Sequence, residues 1–175
     1  LVLHAWGMTE MSPLGTVGVL KNQSGAPQTQ RTQLLKQGRP VFGVDMKIVD
    51  DAGQPQAWDG KATGNLLVRG PWILSDYYES GQGSPLVDGW FPTGDVATID
   101  PQGFMQITDR SKDVIKSGGE WISSIDIENI AMAFPGVMMA ACIGVPHPKW
   151  DERPIIVVVR KPDTDVDKAA FDLTC

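Results

Sequence analysis

The sequence has few cysteines, no excess of positive charge and no long apolar run. Its 175 residues include two cysteines, Cys142 and Cys175, which are too few for a disulfide framework or a zinc site. This scarcity is typical of a reducing compartment such as the cytoplasm. A net charge of −6 argues against nucleic acid as a partner, because phosphate binding needs a basic face.

No apolar stretch approaches the ~20 residues that a membrane-spanning helix needs. The longest, from Val137 to Val145, predicts a buried strand. The first residues, Leu1 to His4, have neither a basic region nor an initiator Met, so they do not fit a signal peptide and instead predict the middle of a strand. We therefore expect both ends to be cuts through a longer protein.

Glycine and proline are abundant, with 19 and 13 residues, and this favours many turns and short strands. Strand patterns cover 41–50 and 65–69. The tetrad Asp100 to Gly103 suits a type I turn, so residues 95–108 are predicted to form a β-hairpin. The segment 40–108 is thus expected to be mostly β, with long loops.

The pattern changes after Arg110. Ser117-Gly118-Gly119 predicts a second tight hairpin, and Ser123 is a candidate N-cap for a helix with apolar residues at helical spacing as far as Phe134. Strands are then predicted at 138–145 and 154–159, and a second helix at 167–173. This order predicts an α+β fold class, with a domain boundary at 108–112.

The segment Trp6 to Glu10 (WGMTE) follows an apolar strand. Gly7 at a strand end allows close approach of the backbone to a ligand, and the hydroxyl of Thr9 beside the carboxylate of Glu10 is able to hold a phosphate oxygen and Mg²⁺ together. Alone, the segment is more typical of a strand-ending turn with a solvated glutamate.

Two further stretches suit a nucleotide. Gly94-Asp95 at a strand start presents a carboxylate to which a ribose diol could donate, although turn acids also accept local amides. Arg110 has a planar fork suited to phosphate or ribose. The charged run 109–113, taken alone, is typical of a solvated interdomain link.

Four segments in order make the pattern specific, and together they resemble the adenylate-forming superfamily over residues 4–160. That superfamily contains acyl-CoA synthetases, luciferases and peptide-synthetase adenylation domains. The segments are WGMTE (6–10), VRGP (68–71), GWFPTGD (89–95) and DRSKDVIKSGGE (109–120). Three stretches resemble the medium-chain fatty-acid–CoA ligase branch in particular, namely HAWGMTEMSPLG (4–15), GGEWISS (118–124) and GVPHPKW (144–150).

The resemblance implies a role for each matching residue. Trp6, followed by Gly7, would pack on adenine, Thr9 would contact the ATP phosphates and Glu10 would bind Mg²⁺. Asp95 would hold the ribose hydroxyls.

In the second part of the chain, Arg110 would also contact the nucleotide. Lys112 would be the hinge about which a small domain rotates between two half-reactions. The loop around Gly119 would line the path of the coenzyme A thiol. Lys116 is interpreted as an exposed strand lysine in preference to a contact of the adenylate. Arg153 is interpreted as a strand cap in preference to a contact of a coenzyme A phosphate.

The resemblance also implies a domain organisation. Residues 1–108 would be the β-rich, distorted-barrel end of a large AMP-binding domain, 109–112 the hinge, and 113–175 an incomplete small α+β domain. The family's phosphate loop and its adenylation lysine have no match here, so the chain alone is expected to be inactive.

The implied activity is that of an AMP-forming fatty-acid–CoA ligase. Fatty acid, ATP and coenzyme A would be substrates, Mg²⁺ would assist, and a homodimer of the complete enzyme is left open. Two alternatives also remain open. One is another adenylate-forming enzyme, such as an aryl-CoA ligase or a peptide-synthetase adenylation domain; the other is a nucleotide-binding module without catalysis.

Overall fold

The computed structural model describes residues 2–20, 26–78, 81, 83–166 and 171, which fall into two units, Leu1–Ile107 and Thr108–Cys175. The first unit is β-rich and the second is α+β, so the predicted fold class is confirmed. None of the helices in the described ranges has the length and hydropathy needed to span a bilayer.

The described part of the first unit forms a three-stranded sheet, β1-β2-β3, and a four-stranded sheet, β4-β5-β6-β7. The strands are β1 (Ala5–Gly7), β2 (Leu14–Val17), β3 (Arg39–Pro40), β4 (Asp45–Val49), β5 (Thr63–Arg69), β6 (Phe91–Ile99) and β7, which runs Met105–Arg110. One α-helix, α1 (Pro27–Leu34), and a short 3₁₀ turn, Thr9–Met11, complete the elements described.

The predicted hairpin at 95–108 is confirmed, since β6 and β7 are neighbours joined by the turn at 100–103. The carboxylate of Asp100 accepts from the amides of Gln102 and Phe104, and Gly103 takes a φ of +86° that favours glycine. The expected strand at the start is wrong. Residues 2–4 are not in a strand, and β1 begins only at Ala5.

One apolar cluster supports the first unit. Its buried members come from β4, β5, β6 and β7 and from two connecting residues, and they are Met11, Val44, Met46, Ile48, Leu66, Val68, Phe91, Ala97, Ile99 and Met105. Burying a side chain of this size contributes about 2 kcal/mol. Because Met11 is fully buried there and Trp6 and Met8 pack against it, the 6–11 segment is anchored at both ends.

The described part of the second unit forms a four-stranded sheet in the order β10-β11-β8-β9 with one helix. The elements are β8 (Ile115–Ser117), β9 (Glu120–Ile122), α2 (Ser124–Ala133), β10 (Val137–His147) and β11 (Asp151–Arg160). The tight hairpin, the helix and the two strands predicted here are confirmed. The helix predicted at 167–173 lies outside the described residues, apart from Phe171.

Local chemistry explains why α2 starts where it does. The Ser123 hydroxyl accepts from the amide of Asp126, as an N-cap should, at 3.1 Å. The two-residue loop between β8 and β9 has positive φ at Gly118 and Gly119, the geometry of a type I′ turn.

The strand β10 is only half buried, which corrects the prediction of a buried strand. One face of the β10–β11 pair packs against α2 and Phe171 through residues that include Ala140, Ile156 and Val158. The opposite face is exposed, and three successive pairs on it are apolar, namely Met139 and Val159, Ala141 and Val157, and Ile143 and Ile155. This set is called the outer β10–β11 face below.

Candidate functional site

The segment Trp6 to Met11 begins in β1 and ends in the short 3₁₀ turn, whose last residue, Met11, is fully buried. Gly7 lies at a register shift between β1 and β2, and a Cβ built on it would lie 1.9 Å from the carbonyl oxygen of Pro13. Only glycine fits that approach of two backbones. The structure thus gives Gly7 a packing requirement, whereas the predicted contact of Gly7 with a ligand stays a prediction.

Trp6 meets Asp95, which is 89 positions away in the sequence. The indole Nε1–H donates to Asp95 Oδ2 at 3.1 Å. The indole ring lies over Gly15. A Cβ on that residue would come within 2.7 Å of the ring, so the absence of a side chain at Gly15 leaves room for the indole. The structure therefore brings together the two residues that sequence analysis assigned to adenine and ribose.

Asp95 is 3% exposed and sits at an irregularity of β6. The pairing of β5 with β6 shifts register between Asn65 and Leu67, and Gly94 has a φ of +77°. The side chain of Thr93 replaces backbone pairing at this irregularity, since its hydroxyl donates to the Leu66 carbonyl and accepts from the Asp95 amide. Such irregularities redirect side chains at functional sites, and this one fixes the carboxylate beside Trp6.

Glu10 is held by a segment that sequence analysis did not select. The phenol of Tyr77 donates to Glu10 Oε1 at 3.0 Å, and the amide of Leu74 donates to the Glu10 carbonyl at 2.8 Å. The hydrogen bond to Glu10, then burial, then the nearby negative charge raise the pKa of Tyr77. The tyrosine therefore stays protonated and remains a donor at neutral pH. Thr9 is exposed beside them in the same turn.

The donor chemistry at Glu10 fits Mg²⁺ bound together with a substrate phosphate. Within the described ranges, no cluster of three or more His, Cys, Asp or Glu could hold a metal ion by itself. Mg²⁺ commonly uses only one or two carboxylates and takes its other oxygens from phosphate and water. A single half-exposed glutamate beside a threonine hydroxyl suits that mode.

Arg110, Lys112 and Gly119 all belong to the second unit. The Arg110 carbonyl accepts from the amides of Asp113 and Val114, so Lys112 lies exposed in a hydrogen-bonded turn. Arg110 and Lys112 line a cleft of about 460 Å³ between this turn, α2 and β10. A Cβ at Gly119 would meet nothing within 4 Å, so its φ of +86°, not crowding, favours glycine there.

Asp109 is a second residue that sequence analysis missed, because the charged run 109–113 was interpreted as a solvated link. Its side chain is 1% exposed, and its Oδ2 accepts from the amide and hydroxyl of Ser124 at 2.7 and 2.9 Å. Oδ1 accepts from the Arg110 amide, and the Ser123 hydroxyl donates to the Thr108 carbonyl. The chain entering the second unit is thus fastened to the start of α2.

Comparison with known families gives two matches. Residues 1–78 match the model described as AMP-binding enzyme. Residues 126–173 match the model described as AMP-binding enzyme C-terminal domain.

The similar curated proteins include several CoA ligases. The chain is 55% identical over 169 residues to a 3-methylmercaptopropionyl-CoA ligase of Ruegeria lacuscaerulensis, covering 95% of the chain and 31% of that protein. It is 52% identical to a medium-chain-fatty-acid–CoA ligase of Ectopseudomonas oleovorans, covering 94% of the chain and again 31% of the relative. The chain thus spans about a third of the length of these relatives.

Solved structures of a CoA synthetase also match the chain. The o-succinylbenzoate CoA synthetase of Bacillus subtilis in complex with ATP and magnesium ion matches with a TM-score of 0.77 and 26% identity over 99% of the chain and 34% of that structure. The same enzyme in complex with its acyl-adenylate intermediate matches with a TM-score of 0.75 and 28% identity, covering 99% of the chain and 33% of the other.

Proposed function

Since the chain belongs to the AMP-binding enzyme family, we propose that the protein containing it is an AMP-forming carboxylate–CoA ligase. One observation carries this proposal most directly, namely the hydrogen bond between Trp6 and Asp95. It places an aromatic face next to a buried carboxylate, and these are the two groups that an adenosine needs for its base and its ribose. The carboxylate holds the indole in place through Oδ2, one of its two acceptor oxygens.

The other residues take complementary roles in this proposal. Thr9 contacts the ATP phosphates, Glu10 holds the metal, and Arg110 contacts the nucleotide. When bound, Mg²⁺ would withdraw charge from the phosphate oxygens. Gly119 keeps its loop free of a side chain, so that the thiol of coenzyme A can pass.

The proposed reaction has two steps. In the first, a carboxylate oxygen of the acid attacks the α-phosphorus of ATP, an acyl–phosphate bond forms, and pyrophosphate leaves. In the second, the thiol of coenzyme A loses its proton to solvent and its sulfur attacks the acyl carbon, a thioester forms, and AMP leaves with the electrons of the broken acyl–oxygen bond. The protein contributes mainly position and charge stabilisation, which are the large terms for such transfers.

The domain assignment forms part of the same proposal. Residues 1–108 would end the large AMP-binding domain, 109–112 would be the hinge, and 113–175 would begin the small domain. Because the chain spans about a third of its relatives, we propose that it does not form adenylate without the rest of the protein.

The substrate is proposed to be a medium-chain fatty acid. The two relatives described above, 55% and 52% identical, are named for different aliphatic acids, so the experiment must separate these. The complete protein is incubated with Mg²⁺, ATP, coenzyme A and either octanoate, 3-(methylthio)propionate or benzoate, and pyrophosphate, AMP and acyl-CoA are measured.

We expect all three products in equal amounts, with the highest kcat/KM for octanoate. A preference for benzoate would favour the aryl-CoA ligase alternative. Nucleotide binding without pyrophosphate release from any acid would favour a non-catalytic module and contradict the proposal.

A prediction tests the hinge. Lys112→Pro in the complete protein is expected to slow thioester formation far more than adenylate formation, because proline fixes φ at the proposed pivot. Stopped-flow or quenched assays of each half-reaction measure this. Lys112→Ala is the matched control, since it removes the same side chain and keeps backbone freedom. Equal losses in both half-reactions of the proline variant would contradict the hinge assignment.

A further inference from the structure

A tyrosine far along the chain holds one oxygen of the Glu10 carboxylate. Tyr77 and Glu10 are 67 positions apart, and the phenol oxygen lies 3.0 Å from Oε1. Neither the sequence pattern nor the family resemblance assigned any role to Tyr77. The bond therefore raises the question of what the phenol does for Glu10.

The tyrosine is delivered by a segment tied to the same glutamate. The Leu74 amide donates to the Glu10 carbonyl at 2.8 Å, and Ile73 and Leu74 pack against the apolar cluster of the first unit. The Tyr77 amide donates to the Asp76 carboxylate, which fixes the backbone at the end of the segment. Glu10 is thus bound through its main chain and its side chain by one short stretch, so their relative position is set by packing.

The chemistry of the donor matters because Glu10 is proposed to meet a cation. A lysine or arginine on Oε1 would neutralise the carboxylate and repel a metal ion. A phenol donates a hydrogen bond and adds no charge, so the carboxylate keeps its full negative charge. The phenol also fixes the Glu10 side chain before a ligand binds. Without it, that side chain would lose substantial rotamer entropy on binding.

We propose that Tyr77 is a positioning residue for the metal-binding carboxylate, holding Oε1 of Glu10 so that Oε2 is presented to Mg²⁺ of the bound nucleotide. The inference rests on the proposed function, and specifically on the role of Glu10 in holding the metal. Residues that hydrogen-bond to metal ligands typically change metal affinity by about 10- to 100-fold when they are replaced.

The chain supplies a matched control in the neighbouring tyrosine. Tyr78 is 91% exposed, whereas Tyr77 is 45% exposed and bonded to Glu10. The complete protein is prepared as Tyr77→Phe, Tyr78→Phe and Glu10→Gln. Mn²⁺ binding is measured by electron paramagnetic resonance in the presence of α,β-methylene-ATP, an analogue that adenylation cannot cleave, and the dependence of kcat and KM on Mg²⁺ is measured with ATP.

Tyr77→Phe is expected to weaken Mn²⁺ binding and raise the KM for Mg²⁺ by about tenfold, with kcat at saturating Mg²⁺ nearly unchanged. Tyr78→Phe is expected to change neither. If Glu10→Gln weakens the metal and Tyr77→Phe behaves like Tyr78→Phe, the inference is overturned and the proposed function stands. If Glu10→Gln has no effect on metal binding, the metal-binding role of Glu10 in the proposed function fails, and the inference with it.

A second measurement does not depend on the stability of Tyr77→Phe. 3-Fluorotyrosine is incorporated at position 77 or at position 78 of the complete protein, and the fluorine resonance is followed at constant pH as Mg²⁺ is added in the presence of α,β-methylene-ATP. The resonance at 77 is expected to shift when the metal binds, because that phenol contacts Glu10, and the resonance at 78 is expected to stay nearly unchanged. The same response at the two positions would overturn the inference.

Discussion

If the proposed function holds, replacing Asp95 by alanine in the complete protein is expected to lower kcat/KM for ATP by about 100-fold or more. Two ribose hydroxyls would lose a charged acceptor, and hydrogen bonds to a charged group contribute about 1.5–3 kcal/mol each. Each 1.4 kcal/mol corresponds to about tenfold in rate. Steady-state kinetics at varied ATP measure the effect, and the KM for the acid is expected to change much less.

The bond from Trp6 to Asp95 makes a control necessary, because the alanine variant also leaves the indole N–H without its acceptor. Trp6→Phe removes that donor and keeps an aromatic face, although a smaller one. If Asp95 acts on the ribose, Asp95→Ala must be much more damaging than Trp6→Phe. Equal effects would mean that Asp95 serves only to hold the tryptophan, and unchanged kinetics in Asp95→Ala would remove it from the nucleotide site.

Asp109→Ala is expected to destabilise the second unit by about 3 kcal/mol. The carboxylate accepts three hydrogen bonds while it is almost fully buried, and its loss leaves the amide and hydroxyl of Ser124 without that acceptor. It also removes a negative charge from the positive end of the α2 dipole. Hydrogen–deuterium exchange of peptides from α2 in the complete protein measures this as roughly 100-fold lower protection.

Asp113 provides the control for that change. It is an exposed acid in the turn that follows, so Asp113→Ala is expected to alter stability by less than about 0.5 kcal/mol. Unchanged protection of α2 in Asp109→Ala would contradict this prediction. It would show that Ser123 and the rest of the helix hold the start of the second unit in place without Asp109.

Features with local signals could be predicted from the sequence. Ser123 caps α2 because the acceptor and the amide are three residues apart, and the turn at 100–103 is encoded by four consecutive residues. The helix α1 was not predicted, since it is polar along its length and only Pro27 in its first turn indicates a helix.

The site required more than local signals. The motifs located Trp6, Glu10 and Asp95, but no periodicity brings residue 6 to residue 95 or residue 10 to residue 77; only the folded sheets do that. The burial of Asp109 was missed for the same reason. Its partner Ser124 is 15 residues away, so a charged run that looks solvated in sequence supplies a buried anchor.

The outer β10–β11 face has a practical consequence for anyone who produces this polypeptide alone. Six apolar side chains in three cross-strand pairs form a water-facing patch, and patches of this kind drive self-association. We expect the 175-residue polypeptide to elute from a sizing column at an apparent mass that grows with its concentration. Replacing Ile143 and Val157 by lysine should then yield the more tractable sample for spectroscopy.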